Sequence, residues 1–274
     1  MRVIGVCRFS YPALGGFKRM HDSIEDREAY LFDPERLTLR FRHFETLTLP
    51  SIAGQRDKRF TLLVVTGERL PRPWRERLND ICATVPQVKV VTAQPQRHRT
   101  AMQDAIQDEL GETPEPSLQF RLDDDDAVDA SFIRSIRRTA RLSVKLSKDW
   151  RNLAIEYSNG YSVMLTPEGL RAKKIQAQFY SCGLAVMFRP GDSKTVMNFP
   201  HHKLHHQMPT LINPLPEMYL RAVHADNDSG AGRSVDGLQP LDEAQRVFFK
   251  ERFNVDEDAV RASFAGQAAL RDRA

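Results

Sequence analysis

The sequence has few cysteines and no long apolar run. Cys7, Cys82 and Cys182 lie far apart in the chain, so neither a disulfide framework nor a zinc ribbon is predicted. The longest apolar runs, such as Leu62–Val65, are much shorter than the ~20 residues that a membrane-spanning helix needs. The apolar residues before Arg8 are too few for a signal peptide. We therefore expect a soluble, cytoplasmic protein without an integral membrane segment.

Internal repeats, low-complexity segments and a strong excess of charge are also absent. The 274 residues are 41% hydrophobic and 28% charged, with a net charge of +4, which is typical of one large globular domain or two small ones. Thirty of the 40 basic residues are arginines, whose planar guanidinium group suits phosphate and carboxylate ligands. A nucleotide bias of the coding genome would explain the arginines equally well. Because they are spread along the chain, we expect no nucleic-acid partner.

Strand and helix signals alternate along the first half of the chain. Short apolar strands are predicted at 3–7, 60–65, 88–91 and 117–122, with amphipathic helices between them. This alternation predicts an α/β fold with a doubly wound, mostly parallel sheet and helices on both faces. Ligands of such sheets bind beyond the carboxyl ends of the strands.

The second half has different signals. Segments 153–157 and 161–166 flank Asn159-Gly160, a pattern that predicts a β-hairpin. A further strand is predicted at 181–188, and two terminal helices at 241–254 and 256–270.

Four adjacent aspartates, Asp123 to Asp126, follow the fourth predicted strand. Carboxylates this close repel one another by ~1 kcal/mol per pair even at the dielectric constant of water. Mg²⁺ and Mn²⁺ prefer carboxylate oxygens and usually bridge to substrate phosphates. On an extended segment alternate side chains share a face, so Asp123 and Asp125 could bind one cation. The alternative is a solvated acidic loop in which Asp129 caps the next helix.

Several of these segments together resemble glycosyltransferases of the GT-A fold, whose hallmark is an Asp-x-Asp motif after a central strand. More narrowly, Gly5–Ser10, the Arg121–Asp126 run and Val223–Ser229 resemble the rhamnosyltransferase family. The resemblance covers about residues 2 to 229. It implies a GT-A-like catalytic domain at 1–235, with a nucleotide-binding half (1–130) and an acceptor half (131–235). Residues 236–274 would form a C-terminal helical extension.

The resemblance also implies a metal site. Asp123 would lie near the donor ribose or the metal, and Asp125 would be the more direct metal ligand. Because the aspartate is repeated four times, the register is open by one residue, and Asp124 and Asp126 stay candidates. His224 would supply a late ligand to the same Mn²⁺ or Mg²⁺ ion.

Other residues are expected to bind the donor. The resemblance places Arg8, Phe9 and Ser10 beside the nucleotide, with Phe9 or a neighbour against the base, and Asp123 and Asp124 near them. The alternative is that Phe9 is a core residue and Arg8 a surface charge. Arg99 lies in a basic loop after the third predicted strand, where charge-assisted hydrogen bonds could bind a diphosphate. A solvated loop is the alternative there.

The catalytic base is open between two candidates. His201, His202, His205 and His206 form a cluster whose i, i+4 spacing on a helix would allow a zinc site. The cluster could also be a surface feature or a wall of the active site, in which case His202 could act as the base. Carboxylates usually have that role in inverting enzymes of the resembled fold, so Asp192 is the second candidate.

We therefore expect a metal-dependent hexosyltransferase that moves a sugar from a nucleotide-diphosphate sugar to an acceptor hydroxyl. Inversion at the anomeric carbon and rhamnose as the sugar are implied by the resemblance alone. The alternatives are a metal-dependent phosphoester hydrolase and a non-catalytic nucleotide-binding module. Peripheral contact with a membrane surface is compatible with the sequence, and the acceptor, a glycan or another hydroxyl compound, is not indicated by it.

Overall fold

The computed structural model describes residues 1–15, 21–143, 145, 149–224 and 235–271, and the side chains of the last helix as far as residue 265. The described strands, in chain order, are β1 (Arg2–Arg8), β2 (Thr61–Gly67), β3 (Val88–Ala93), β4 (Ser117–Arg121), β5 (Ala127–Val128), β6 (Asn152–Tyr157), β7 (Asn159–Thr166), β8 (Gly169–Gln176), β9 (Leu184–Phe188), β10 (Thr210–Asn213), β11 (Tyr219–Ala222) and β12 (Gln239–Pro240). The described α-helices are α1 (Ile24–Leu31), α2 (Pro34–His43), α3 (Leu49–Ala53), α4 (Arg72–Ala83), α5 (His98–Leu110), α6 (Phe132–Leu142), α7 (Glu243–Phe253) and α8 (Glu257–Arg271).

The central sheet has seven strands in the order β10-β6-β9-β4-β1-β2-β3. Strands β4, β1, β2 and β3 are parallel neighbours, and β10 is parallel to β6. Only β9 among the seven runs antiparallel to its neighbours, β4 and β6. The predicted fold class, an α/β protein with a mostly parallel central sheet, is confirmed.

Alternating residues of the central strands build two separate cores. Val3 and Cys7 of β1 face one side with Leu62 of β2, whereas Ile4 and Val6 face the other. The first side is covered by α2, α4 and α6, and the second mainly by α5. Because side chains of a strand alternate between faces, a continuous apolar run such as β2 is buried on both sides.

Helix α2 begins with a side-chain cap and a proline. The Asp33 carboxylate accepts a hydrogen bond from the Arg36 backbone N–H at 3.0 Å, and Pro34 occupies the first turn. Leu37 and Phe41 are fully buried on its inner face. The helix continues into a π-helical turn at Phe44–Thr48 and then into α3.

The second sheet has five strands, in the order β12-β8-β7-β11-β5. The predicted hairpin between 153–157 and 161–166 is wrong, because β6 belongs to the central sheet and β7 to this one. Asn159 and Gly160 are the first residues of β7 rather than a two-residue turn. A Cβ atom at position 160 would lie 2.4 Å from the Tyr219 carbonyl oxygen. Glycine at this position therefore allows β11 to pack closely against β7.

The C-terminal helices pack against the second sheet. Phe249 and Phe253 of α7, with Val260 of α8, share a core with Val163 of β7 and Leu170 of β8. The domain boundaries at 130 and 235 stay predictions. Within the part of the chain that the structure describes, no helix has both the length and the apolarity to cross a membrane.

Candidate active site

The four aspartates lie in a turn at the carboxyl end of β4. The Leu122 N–H still donates to the Val6 carbonyl at 3.1 Å, and the turn is closed by the Asp126 N–H, which donates to the Asp123 carbonyl at 3.2 Å. Asp126 Oδ1 accepts a hydrogen bond from the Ala222 N–H at 3.1 Å. The run is therefore tied to both sheets, because β4 is in the central sheet and β11 in the second.

Three of the aspartates converge. One carboxylate oxygen from each of Asp123, Asp125 and Asp126 lies within 4.8 Å of the other two. Asp123 is exposed, whereas Asp125 and Asp126 are buried. The sequence pattern placed Asp123 and Asp125 together by strand alternation, but the structure brings them together through the turn. Among the described residues this is the only group of three or more such ligands.

Asp125 has two polar partners from distant parts of the chain. Its Oδ2 atom is 3.0 Å from Nη1 of Arg40 and 2.8 Å from Nε2 of His224. The same Arg40 nitrogen lies 3.1 Å from Asp124 Oδ1. Burial acts to raise the pKa of Asp125, but the hydrogen bond to His224 and the charge of Arg40 lower that pKa well below its ordinary value. Asp125 is therefore an anion despite its burial.

The pKa values of the neighbouring carboxyl groups of Asp124 and Asp126 are raised instead. Burial raises the pKa of Asp124 to about 6, although Arg40 opposes the shift. Burial, followed by the charges of Asp125 and Asp123, raises the pKa of Asp126 well above its ordinary value. Crowded carboxylates repel one another because water cannot screen them. A bound cation would relieve this repulsion.

His43 packs behind His224. The two imidazole rings are 4.5 Å apart, and the Nδ1 atom of His43 is 2.9 Å from the Leu39 carbonyl oxygen. Burial, with the nearby His224, lowers the pKa of His43 to about 4, so it is neutral near pH 7. Sequence reasoning missed Arg40 and His43. A signal was present, since both lie next to the apolar stripe of α2 that carries Leu37 and Phe41.

A basic cluster adjoins the aspartates. Arg8 ends β1, Arg121 ends β4, and His98 and Arg99 begin α5. Burial lowers the pKa of His98 to about 3, and the charges of Arg8, Arg121 and Arg99 lower it further. Burial also lowers the pKa of Arg121 to about 10, with Asp123 opposing the shift. Helix N-termini and guanidinium groups both favour anions, so a phosphate-bearing ligand suits this cluster.

Ser10 lies in a narrow pocket next to the same edge. Its backbone has a φ angle of +44°, and its side chain is buried. Within the described part of the chain, the Ser10 hydroxyl has no hydrogen-bond partner. The pocket is also lined by basic, tyrosine and acidic side chains: Arg8, Tyr11, Arg27, Tyr30, Arg36, Arg40 and Asp124. A buried unpaired hydroxyl costs free energy, which a polar ligand would recover.

Phe9 does not fit the predicted contact with a nucleotide base. Its side chain is fully buried, and its ring packs edge-on against Phe41 at 4.9 Å and Phe44 at 5.3 Å. Phe9 faces the same core as Val3 and Cys7. Phe9 is a core residue, because the alternation of side chains along β1 and beyond points its ring into this core.

Asp192 does not fit the predicted role of catalytic base. It follows β9, whose last residue, Phe188, pairs with Ser117 at the start of β4. The Asp192 carboxylate accepts a hydrogen bond from the Asn152 side chain at 3.1 Å. Since β9 is antiparallel to β4, Asp192 lies at the opposite edge of the sheet from Asp123.

The histidine cluster forms a 3₁₀ helix, His201–His206, rather than an α-helix. Its i, i+4 pairs consequently do not face one another, and no third metal ligand joins them among the described residues. His201 is the inner member and contacts the Phe179 carbonyl. Burial lowers the pKa of His201, and the charge of Asp123 opposes this shift. His202 is exposed beside it. Residues 225–229 of the segment after His224 lie outside the described residues.

Comparison with known proteins gave three results. A family model described as "Putative rhamnosyl transferase" matches residues 2–235. No curated protein is similar enough to count as a match. Among solved structures, S. aureus TarS 1-349 matches with a TM-score of 0.46 and 10% identity over 81% of this chain and 60% of that one. The same protein in complex with UDP-GlcNAc matches with a TM-score of 0.46 and 10% identity over 83% of this chain and 60% of that one.

The chain thus spans about 60% of the length of these TarS structures. Because the TM-scores are below 0.5, we draw no conclusion from this likeness.

Proposed function

The chain belongs to the family described as "Putative rhamnosyl transferase", and from this premise we propose that it transfers a sugar from a nucleotide-diphosphate sugar to an acceptor hydroxyl with the aid of a divalent cation. Membership makes it a glycosyltransferase. The proposal of a divalent cation rests on the convergence of Asp123, Asp125 and Asp126 at the edge where β4 ends.

The three carboxylates suit a hard cation. Mg²⁺ and Mn²⁺ select carboxylate oxygens, and ligands of a Mg²⁺ ion bound at about 2.1 Å are at most ~4.2 Å apart. Small side-chain rotations would therefore let the oxygens, now within 4.8 Å, hold one ion. When bound, such an ion would supply positive charge to the donor diphosphate. We propose His224 as a further ligand, since it already contacts Asp125.

The basic cluster would bind the diphosphate. Arg8, Arg99 and Arg121 would donate charge-assisted hydrogen bonds to its oxygens, and the N-terminus of α5 would add to the favourable potential. The Ser10 hydroxyl, which has no hydrogen-bond partner among the described residues, would donate to a polar group of the nucleotide. In the transfer the acceptor oxygen bonds to the anomeric carbon, the bond from that carbon to the diphosphate breaks, and the leaving nucleotide keeps the electron pair.

The acceptor proton needs a base. We propose His202, which is exposed beside His201, because an imidazole can take a proton near neutral pH. Rhamnose as the sugar rests on the family description, and inversion on the resemblance of the sequence to inverting enzymes. The cytoplasm as location is likewise a proposal.

The test is binding and turnover by Asp125→Ala. We expect Mn²⁺ with the correct nucleoside diphosphate at 100 times its Kd to stabilise the native chain by about 2.7 kcal/mol, a rise in Tm of roughly 5–10 °C for a chain of this size. The variant should lose both this rise and sugar transfer. Asp80→Asn, an exposed position on α4, is the matched control and should behave as the native chain.

Three outcomes would contradict the proposal. A folded Asp125→Ala protein with full metal-dependent transfer would remove Asp125 from the site. Release of free phosphate without glycosyl transfer would favour the hydrolase, and a Tm shift with Mn²⁺ and a nucleotide but no transfer of sugar would favour a non-catalytic nucleotide-binding module.

A further inference from the structure

A basic groove lies at the opposite edge of the central sheet from the carboxylates. It encloses about 700 Å³, and seven of its nine lining residues are basic. They come from the segment before β2 and from α6. Arg137 of α6 donates to the Met1 carbonyl, at the start of β1, at 2.6 Å. The groove is therefore at the edge where the parallel strands begin.

The positive charge of this groove is not neutralised within the described chain. Its one acidic residue, Asp57, is shared by Arg137 Nε at 3.0 Å and Arg59 Nε at 3.1 Å. No described carboxylate forms an ion pair with the other four guanidinium groups, which belong to Arg56, Arg134, Arg138 and Arg141. The last three share one face of α6, where like charges at i, i+3 and i, i+4 repel. By charge complementarity, this groove favours an extended anionic partner.

Exposed apolar side chains accompany these charges. Leu142 lines the groove at the end of α6 and is 75% exposed. Trp150 is 50% exposed and precedes β6, whose first residue pairs with Phe188 opposite the start of β4. Trp150 is therefore at the same edge. Trp and Leu favour the headgroup region of a bilayer, while Lys and Arg bind its anionic phosphates.

We propose that this edge docks on a membrane surface that contains anionic phospholipids. Arg56, Arg134, Arg138 and Arg141 contact lipid phosphates, and Leu142 and Trp150 enter the headgroup layer. A nucleic acid would also bind the guanidinium groups, but it offers nothing to Leu142. Docking at this edge leaves the carboxylate edge open to water, so the two sites can be tested separately.

The test is co-sedimentation of the full chain with vesicles of phosphatidylcholine alone or mixed with phosphatidylglycerol. We expect binding only to the mixed vesicles, weakened by salt because the attraction is screened. Arg134→Gln/Arg138→Gln should weaken it roughly 30-fold, since each basic group near an anionic leaflet contributes about fivefold. Arg72→Gln/Arg75→Gln on α4 removes the same charge and should leave binding unchanged. Leu142→Ser should weaken binding while all charges are kept.

Several outcomes would overturn the proposal. They are equal binding to both vesicle types, no binding to either, an equal loss in the α4 control, and full binding by Leu142→Ser. Tighter binding to a DNA duplex than to the mixed vesicles, unaffected by Leu142→Ser, would assign the groove to nucleic acid instead. The Tm shift with Mn²⁺ and nucleotide should be the same in all these variants, which shows that each is folded and that the donor site is independent.

Discussion

At the residue scale, buried charged groups determine the character of the carboxylate edge. Arg40 comes from α2, more than 80 residues before the aspartates, and its Nη1 atom contacts both Asp124 and Asp125. His224 adds a hydrogen bond to Asp125 from beyond β11. Because a buried carboxylate needs such partners, these two residues allow Asp125 to be an anion before any ligand binds.

His98 provides a prediction about pH at this scale. Its pKa of about 3 in the folded chain is below its ordinary value of 6.5, so the unfolded chain binds the proton more tightly. The stability that His98 contributes is present above pH 6.5 and is lost as pH falls toward 3. When the pH falls from 6.5 to 4, we expect the free energy of unfolding of the native chain to fall by about 3 kcal/mol more than that of His98→Gln.

Urea unfolding at a series of pH values measures this difference. His206→Gln is the matched control, because it removes an exposed histidine at the end of the 3₁₀ helix and leaves His98 in place. If His98→Gln and the native chain show parallel curves, His98 is not held neutral by burial and by Arg8, Arg121 and Arg99.

At the element scale, the close packing of β1 against β4 depends on Gly5. Gly5 pairs with Phe120 in the parallel register, and a Cβ atom at position 5 would lie 2.3 Å from the Phe120 ring. The ring is itself packed edge-on against Phe132 at 5.4 Å. The glycine therefore lets the aromatic side chain cover β1 in the core beneath the carboxylate turn.

Gly5→Ala should destabilise the fold by about 1–3 kcal/mol, the usual cost of overpacking a core. The measurement is urea unfolding followed by tryptophan fluorescence. The double variant Gly5→Ala/Phe120→Leu should lose less free energy of unfolding than the sum of the losses of the two single variants, because the smaller side chain at position 120 removes the clash. Strict additivity would show that Phe120 is not what restricts position 5.

At the scale of the whole molecule, α7 is joined to the segment that follows the aspartates. Arg252 Nε contacts Asp129 Oδ2 at 2.5 Å, and the Arg252 carbonyl accepts a hydrogen bond from the Ala130 N–H at 2.6 Å. The other oxygen of Asp129 accepts from the Ser131 N–H at 2.8 Å. Asp129 therefore links the residue before α6 to the C-terminal helices. It is not the helix cap that the sequence suggests, because the N-cap of α6 is Ser131.

Arg252→Met should lower the free energy of unfolding by about 2 kcal/mol, since it leaves one oxygen of a buried carboxylate without its charged partner. Lys250→Met on the same helix removes an exposed ion pair with Asp256 and should change stability by less than about 1 kcal/mol. Equal effects of the two substitutions in urea unfolding would mean that the Asp129 contact does not hold α7 to the domain.

The α/β class, the family and the position of Arg8 and the aspartates at the ends of β1 and β4 could all be predicted from the sequence. Those features depend on local periodicity and on residues adjacent in the chain, such as the four aspartates and Arg8-Phe9-Ser10. The apolar run of β1 was also visible, but it is buried on both faces, so the pattern could not show whether Phe9 lies in a core or beside a ligand.

Which distant residues meet depends on tertiary packing. The antiparallel direction of β9 places Asp192 at the far edge, and the assignment of β6 and β7 to different sheets removes the expected hairpin. Arg40 and His43 reach Asp125 and His224 only because α2 packs on the same face of the sheet as α6. Strand direction and helix packing arise from contacts between segments far apart in sequence, and local residue patterns do not encode them.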